Sequence, residues 1–177
     1  MLQKLSWEIR QLGISLRKTR ESVFAAQGAS YHAFNCAVTA WHVVDWAWQE
    51  ADREMQVALS REGKAGWIRM LTDSCPALAI CQALTNNGKH GIGNYGDDMV
   101  VMEIHDLRAV PLATGEIFFR YPAGFEIKVT HDGLTYDACD LFNMAGAHLQ
   151  TVLVKAGLLD GLWRHGYVFD SIDRHDL

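Results

Sequence analysis

The sequence predicts an α+β protein, mainly α: an antiparallel helical bundle with a small antiparallel β-meander inserted before the last long helix. Three observations predict it. Apolar residues recur at helical spacing over residues 1–88 and again over 138–156. Between them, at about 99–131, the apolar period changes to two. Finally, 177 residues, 49% of them hydrophobic and 21% charged, suit one domain spanning 1–177 with its own core.

Each element has a local reason. Leu5, Ile9, Leu12 and Leu16 form the apolar stripe of an opening helix, weakened by Gly13. A stretch at 18–27 also reads as helix, ending near Gly28, and Ser30 is a suitable N-cap for a further helix over about 31–51. In that helix Phe34, Val38, Trp41, Val44 and Trp48 share a face, while Ala37, Ala40, Val43 and Ala47 point elsewhere, as expected of a central helix. Residues 64–88 read as two helices, because Pro76 fits a first turn and not an interior. Asp73 or Ser74 would cap the second, and Asn87-Gly88 would end it.

Val100–Ile104, Glu116–Tyr121 and Phe125–Val129 read as strands, with Pro122-Ala123-Gly124 linking the last two. Asp132-Gly133 is a turn signal. Asp137 caps the final helix, with Leu141, Ala145, Leu149 and Val152 inward and Gly157 as its stop.

Composition narrows the function. A net charge of -5 gives no general attraction to nucleic acid or an anionic membrane. The basic run Lys4, Arg10, Arg17, Lys18 and Arg20 reads as a solvated helix face, and the six tryptophans read as packing. No run approaches the roughly 18 apolar residues of a membrane span, and no secretory signal is visible, so the cytoplasm is the expected location. Cys36, Cys75, Cys81 and Cys139 form no CxxC pair and read as small core hydrophobes.

Two polar constellations interrupt the apolar pattern. Asn35, Thr39, His42, Asp45 and Gln49 fall within a sector of roughly 120° on the central helix. His42 and Asp45 are three residues apart, so the carboxylate can orient the imidazole. In apolar surroundings Asp45 needs a cationic partner, for which Lys89, His90 or an arginine is available. The second constellation is Asn86-Asn87-Gly88-Lys89-His90, where a continuing helix would put Asn86 and His90 on one face. Its plainer reading is a polar helix end, with Lys89 and His90 complementing the dipole. No cofactor is expected and no metal: His32 and His42 lie about 80° apart around the helix, and no HExxH occurs. Gly91-Ile92-Gly93-Asn94-Tyr95-Gly96 spells GxGxxG, but after a helix and before a strand, the reverse of the dinucleotide-binding order.

The His-x-x-Asp-Trp element at 42–46, followed by a helix closing on Asn-x-x-x-His at 86–90, resembles the HEPN family of helical bundles. The resemblance covers roughly residues 30–92. Many HEPN proteins are dimeric, metal-independent ribonucleases of toxin–antitoxin and phage-defence systems. The resemblance implies His90 as the proton-transfer residue, Asn86 as a ligand of phosphate or of the histidine, and a homodimer. The family's phosphate-binding arginine is replaced here by Thr85, with Lys89 as the nearest charge. His42, Asp45, Asn35 and Thr85 would form the supporting polar network. The reading carried forward is a non-catalytic interaction protein with a protein partner. A ribonuclease acting on RNA through His90 is the first alternative, and a small-molecule sensor with a pocket between helices and sheet is the second.

Overall fold

A computed structural model describes residues 1–17, 22–90, 100–106, 109–111, 117–119 and 125–159. Within those stretches, the side chains of 22–26, 87–90, 104–106, 109–111, 117–119 and 125 are outside the description.

The element order is α1 (Leu2–Arg17), α2 (Ser22–Glu50), α3 (Arg53–Leu59), α4 (Gly63–Ser74), α5 (Pro76–His90), β1 (Val101–Asp106), β2 (Ala109–Pro111), β3 (Ile117–Phe119), β4 (Phe125–His131), β5 (Leu134–Asp137) and α6 (Ala138–Lys155). The expected class, mainly helical with a small antiparallel sheet before the last helix, is what the fold shows.

The central element is α2, 29 residues long and therefore roughly 43 Å. It runs unbroken through Gly28 and Ser30, where the sequence suggested a stop and a cap. A glycine inside a helix costs only about 1 kcal/mol, and the fully buried Ala29, Ala33 and Ala37 offset that by packing. The buried face of α2 also differs from expectation. Its core positions are Ala29, Ala33, Cys36, Ala37, Ala40, Trp41, Val43, Val44 and Ala47, so Trp41 and Val44 are buried as expected, whereas Phe34, Val38 and Trp48 are only half-buried. Small side chains let several helices approach α2 closely: α1, α5 and α6 all pack on it, and β4 touches it.

At the α4–α5 junction α4 continues through Ser74, and Cys75 takes the extended conformation (φ -144°, ψ 97°). The position before a proline is steered out of the helical region, so Cys75 rather than Asp73 or Ser74 occupies the bend. Its carbonyl accepts from the Leu78 amide at 2.9 Å, satisfying one orphan donor of α5. Helix α5 then passes Gly88 and ends at His90. Helix α3 was not anticipated, although its signal is local: Asp52 accepts from the Met55 amide at 2.8 Å as N-cap.

The strands are not a simple meander. One sheet has the order β1-β4-β5, all antiparallel, and β2–β3 form a separate two-stranded ladder between β1 and β4 in the chain. Strand β4 pairs with β1 and β5 and has no ladder with β3; Pro122-Ala123-Gly124, the expected link, lies outside the described residues. Ile127 and Val129 point into the core from the middle strand. Asp132 (φ 50°) and Gly133 (φ 74°) both take positive φ in the β4–β5 turn, the geometry a two-residue hairpin needs. Asp137 caps α6 by accepting from the amides of Cys139 and Asp140 at 2.9 and 3.2 Å. Gly157 (φ 73°) ends it: Leu158 donates to the Leu153 carbonyl at 3.0 Å and Gly157 to that of Val154 at 3.1 Å. On α6, Leu153 is fully buried, while Val152, the expected inward residue, is half-buried.

Candidate functional site

Helices α2 and α5 do lie side by side. The surfaces they bury, however, are mostly apolar: Cys36, Ala40, Val43 and Val44 on α2; Ala77, Leu78, Ile80, Cys81 and Leu84 on α5. The expected polar stripe of α2 divides between core and solvent. Thr39 is fully buried and accepts from Lys4 Nζ at 3.1 Å. Asn35 is half-buried, and His42 and Gln49 are exposed.

Asp45 has a cationic partner, but from α4 and at the surface. Lys64 Nζ lies 2.8 Å from its carboxylate, and the two side chains remain 43% and 34% accessible. An ion pair this open contributes about 0.2–1 kcal/mol, so Asp45 is a surface residue in a weak link between α2 and α4. No hydrogen bond joins Asp45 to His42.

On α5, Thr85 is fully buried and its hydroxyl donates to the Cys81 carbonyl one turn back, at 2.8 Å. That bond is internal to the helix and turns the side chain away from any ligand. Asn86 is exposed. Because α5 continues through Gly88, positions 86 and 90 stand one turn apart on a single helix. The side chains of Lys89 and His90 lie outside the described residues.

The polar groups that do meet are others. Glu8 of α1 is nearly fully buried, and its Oε2 lies 3.4 Å from Nδ1 of His32 on α2. The His32 ring meets Trp7 edge-on, with centroids 6.5 Å apart. The sequence carried that signal, since Glu8 falls on the same stripe as Leu5, Ile9 and Leu12. Trp67, fully buried on α4, donates its indole N–H to the Val44 carbonyl at 3.3 Å.

Ser74 Oγ and His148 Nε2 lie 3.1 Å apart, joining the end of α4 to α6. A serine beside a histidine is half of a nucleophile–base arrangement. Here the same hydroxyl is within reach of the Leu71 carbonyl at 3.2 Å, and no hydrogen bond holds the other ring nitrogen. Partial burial, then the nearby Lys155, lower the His148 pKa from its ordinary 6.5. The folded chain thus binds this proton less readily than the unfolded chain. Stability is retained above pH 6.5 and falls as pH drops through it toward the folded value. Urea midpoints recorded from pH 7.5 to 5.5 should fall less steeply for His148→Gln than for the parent.

The four cysteines are free thiols. Burial raises the pKa of Cys36, Cys75 and Cys81. Burial, with Asp137 and Asp140 beside it, pushes Cys139 up to about 12, while Arg17 acts in the opposite sense. Burial of this kind disfavours the thiolate, which is the nucleophilic form. Among the described residues no group of three or more His, Cys, Asp or Glu side chains is placed to hold a metal ion, and no helix is long and apolar enough to cross a membrane. No known family model, curated protein or solved structure matches the chain.

Proposed function

We propose that this chain is a HEPN-like interaction protein whose bundle binds a protein partner, or its own copy as a homodimer, without cleaving RNA. The observation that carries this reading is Thr85. It stands where the resemblance calls for a phosphate-binding arginine, is fully buried, and spends its hydroxyl on the Cys81 carbonyl. A phosphoryl group in transfer needs preorganised positive charge, and this position offers none. The loosely held Asp45–Lys64 pair and the exposed His42 support the same reading.

The continuation of α5 to His90 favours one alternative, a metal-independent ribonuclease with His90 as acid/base, Asn86 on phosphate and Lys89 replacing the arginine. Incubation of the purified chain with single-stranded RNA, with and without EDTA, separates the two. The expected result is intact RNA, unchanged by His90→Ala, with a solution mass above that of the 19.8 kDa chain alone or on adding a partner. EDTA-resistant cleavage that disappears in His90→Ala would establish the ribonuclease instead.

A further inference from the structure

The outward side of α1 carries a one-sided stripe. Gln3, Trp7, Arg10, Ile14 and Arg17 repeat at alternating steps of four and three, so they line one stripe. All five are exposed; Trp7 is 53% accessible, too much for the packing role its sequence context suggests. The stripe carries two arginines and no exposed acid, because the only carboxylate of α1, Glu8, is turned into the core. An apolar seam flanked by cations fits an acidic chain segment bearing aromatic or aliphatic side chains. It does not fit the same face of a second copy, which would set arginine against arginine.

The sequence contains such a segment. Residues 160–177, outside the described residues, hold four aspartates against two arginines, together with Trp163, Tyr167, Val168, Phe169 and Ile172. Helix α6 packs against α1, and just beyond α6 Leu158 and Leu159 still pack on the core. Eighteen further residues span up to about 60 Å, against a stripe roughly 21 Å long from Gln3 to Arg17.

We infer that the outer stripe of α1 is a docking surface for residues 160–177 of the same chain, with aspartates against Arg10 and Arg17 and an aromatic side chain against Trp7. The inference is independent of whether the bundle cleaves RNA.

Limited chymotrypsin digestion of the full chain tests it, with cleavage after Tyr167 and Phe169 followed by mass spectrometry. A synthetic peptide of residues 160–177 gives the undocked rate. In the parent the segment should be cut at least tenfold more slowly than the peptide. Arg10→Glu with Arg17→Glu should bring cleavage to the peptide's rate. Adding Asp173→Lys with Asp176→Lys should restore protection, with each rate referred to a peptide carrying the same substitutions. Urea midpoints of the variants confirm that the bundle is intact. Parent and peptide cut equally fast, or protection indifferent to the charge reversals, would overturn the inference. So would protection that vanishes on dilution, since the segment would then come from a second copy.

Discussion

Trp67→Ala is expected to lower the unfolding free energy by about 3–5 kcal/mol, the range for truncating a fully buried aromatic side chain. Trp67 is the largest completely buried side chain among the described residues, and it belongs to α4, a helix that otherwise buries only Gly66 and Leu71. Its ring is therefore the main apolar anchor of α4, and its indole N–H reaches the Val44 carbonyl of α2. Trp67→Phe keeps most of the apolar volume and loses the hydrogen bond, so it should cost much less, with about 1 kcal/mol from the bond itself. Urea unfolding followed by far-ultraviolet circular dichroism measures both. A loss below 1 kcal/mol for the alanine variant would mean that α4 is not held by this ring.

The Glu8–His32 pair should show the next largest effect, with an asymmetry that simple contact removal does not give. The glutamate side chain is 6% accessible and the histidine 26%, with 3.4 Å between the nearest atoms. His32→Phe leaves a carboxylate enclosed by apolar neighbours without its ring partner, a loss of about 1–3 kcal/mol. Glu8→Met combined with His32→Phe removes both polar groups while keeping similar volumes, and such exchanges are often neutral or stabilising. The double variant should accordingly be more stable than His32→Phe alone. A double-mutant cycle in urea checks this; additive losses would show that the two side chains do not interact.

Local signals in the sequence foretold much of this fold. The stripe of α1, the break at Pro76, the alternation of β4, the turn at Asp132-Gly133, and the cap and stop of α6 all rest on neighbours within a few residues. What local chemistry could not convey was the outcome of packing. Gly28 and Ser30 punctuate the chain on paper, yet the alanines beside them make continuing α2 more favourable than ending it. Of the large residues that suggested the buried face, Trp41 is buried, but Phe34, Val38 and Trp48 are only half-buried, because close helix approach selects mostly small ones. Sheet order is likewise a long-range property, and β4 passes over the preceding β3 to pair with β1.

The candidate site was legible to the same degree. The sequence pattern put Asp45 in apolar surroundings that would demand a cation, whereas in the fold its side chain is open to solvent and the cation beside it is a surface partner. That the cation is Lys64 depends on how α4 docks, which spacing within α2 does not encode. Glu8 could have been found, since a carboxylate in register with leucines and isoleucine on a helix face signals a buried partner.

The alanine-lined α2 has a consequence for biogenesis. Its walls come from both ends of the chain: α1 precedes it, whereas α6 begins only at Ala138. At translation rates of about 5–20 residues per second, seconds pass between emergence of this spine from the ribosome and arrival of its last wall. During that interval the part of α2 that α6 covers in the finished fold stays open to solvent.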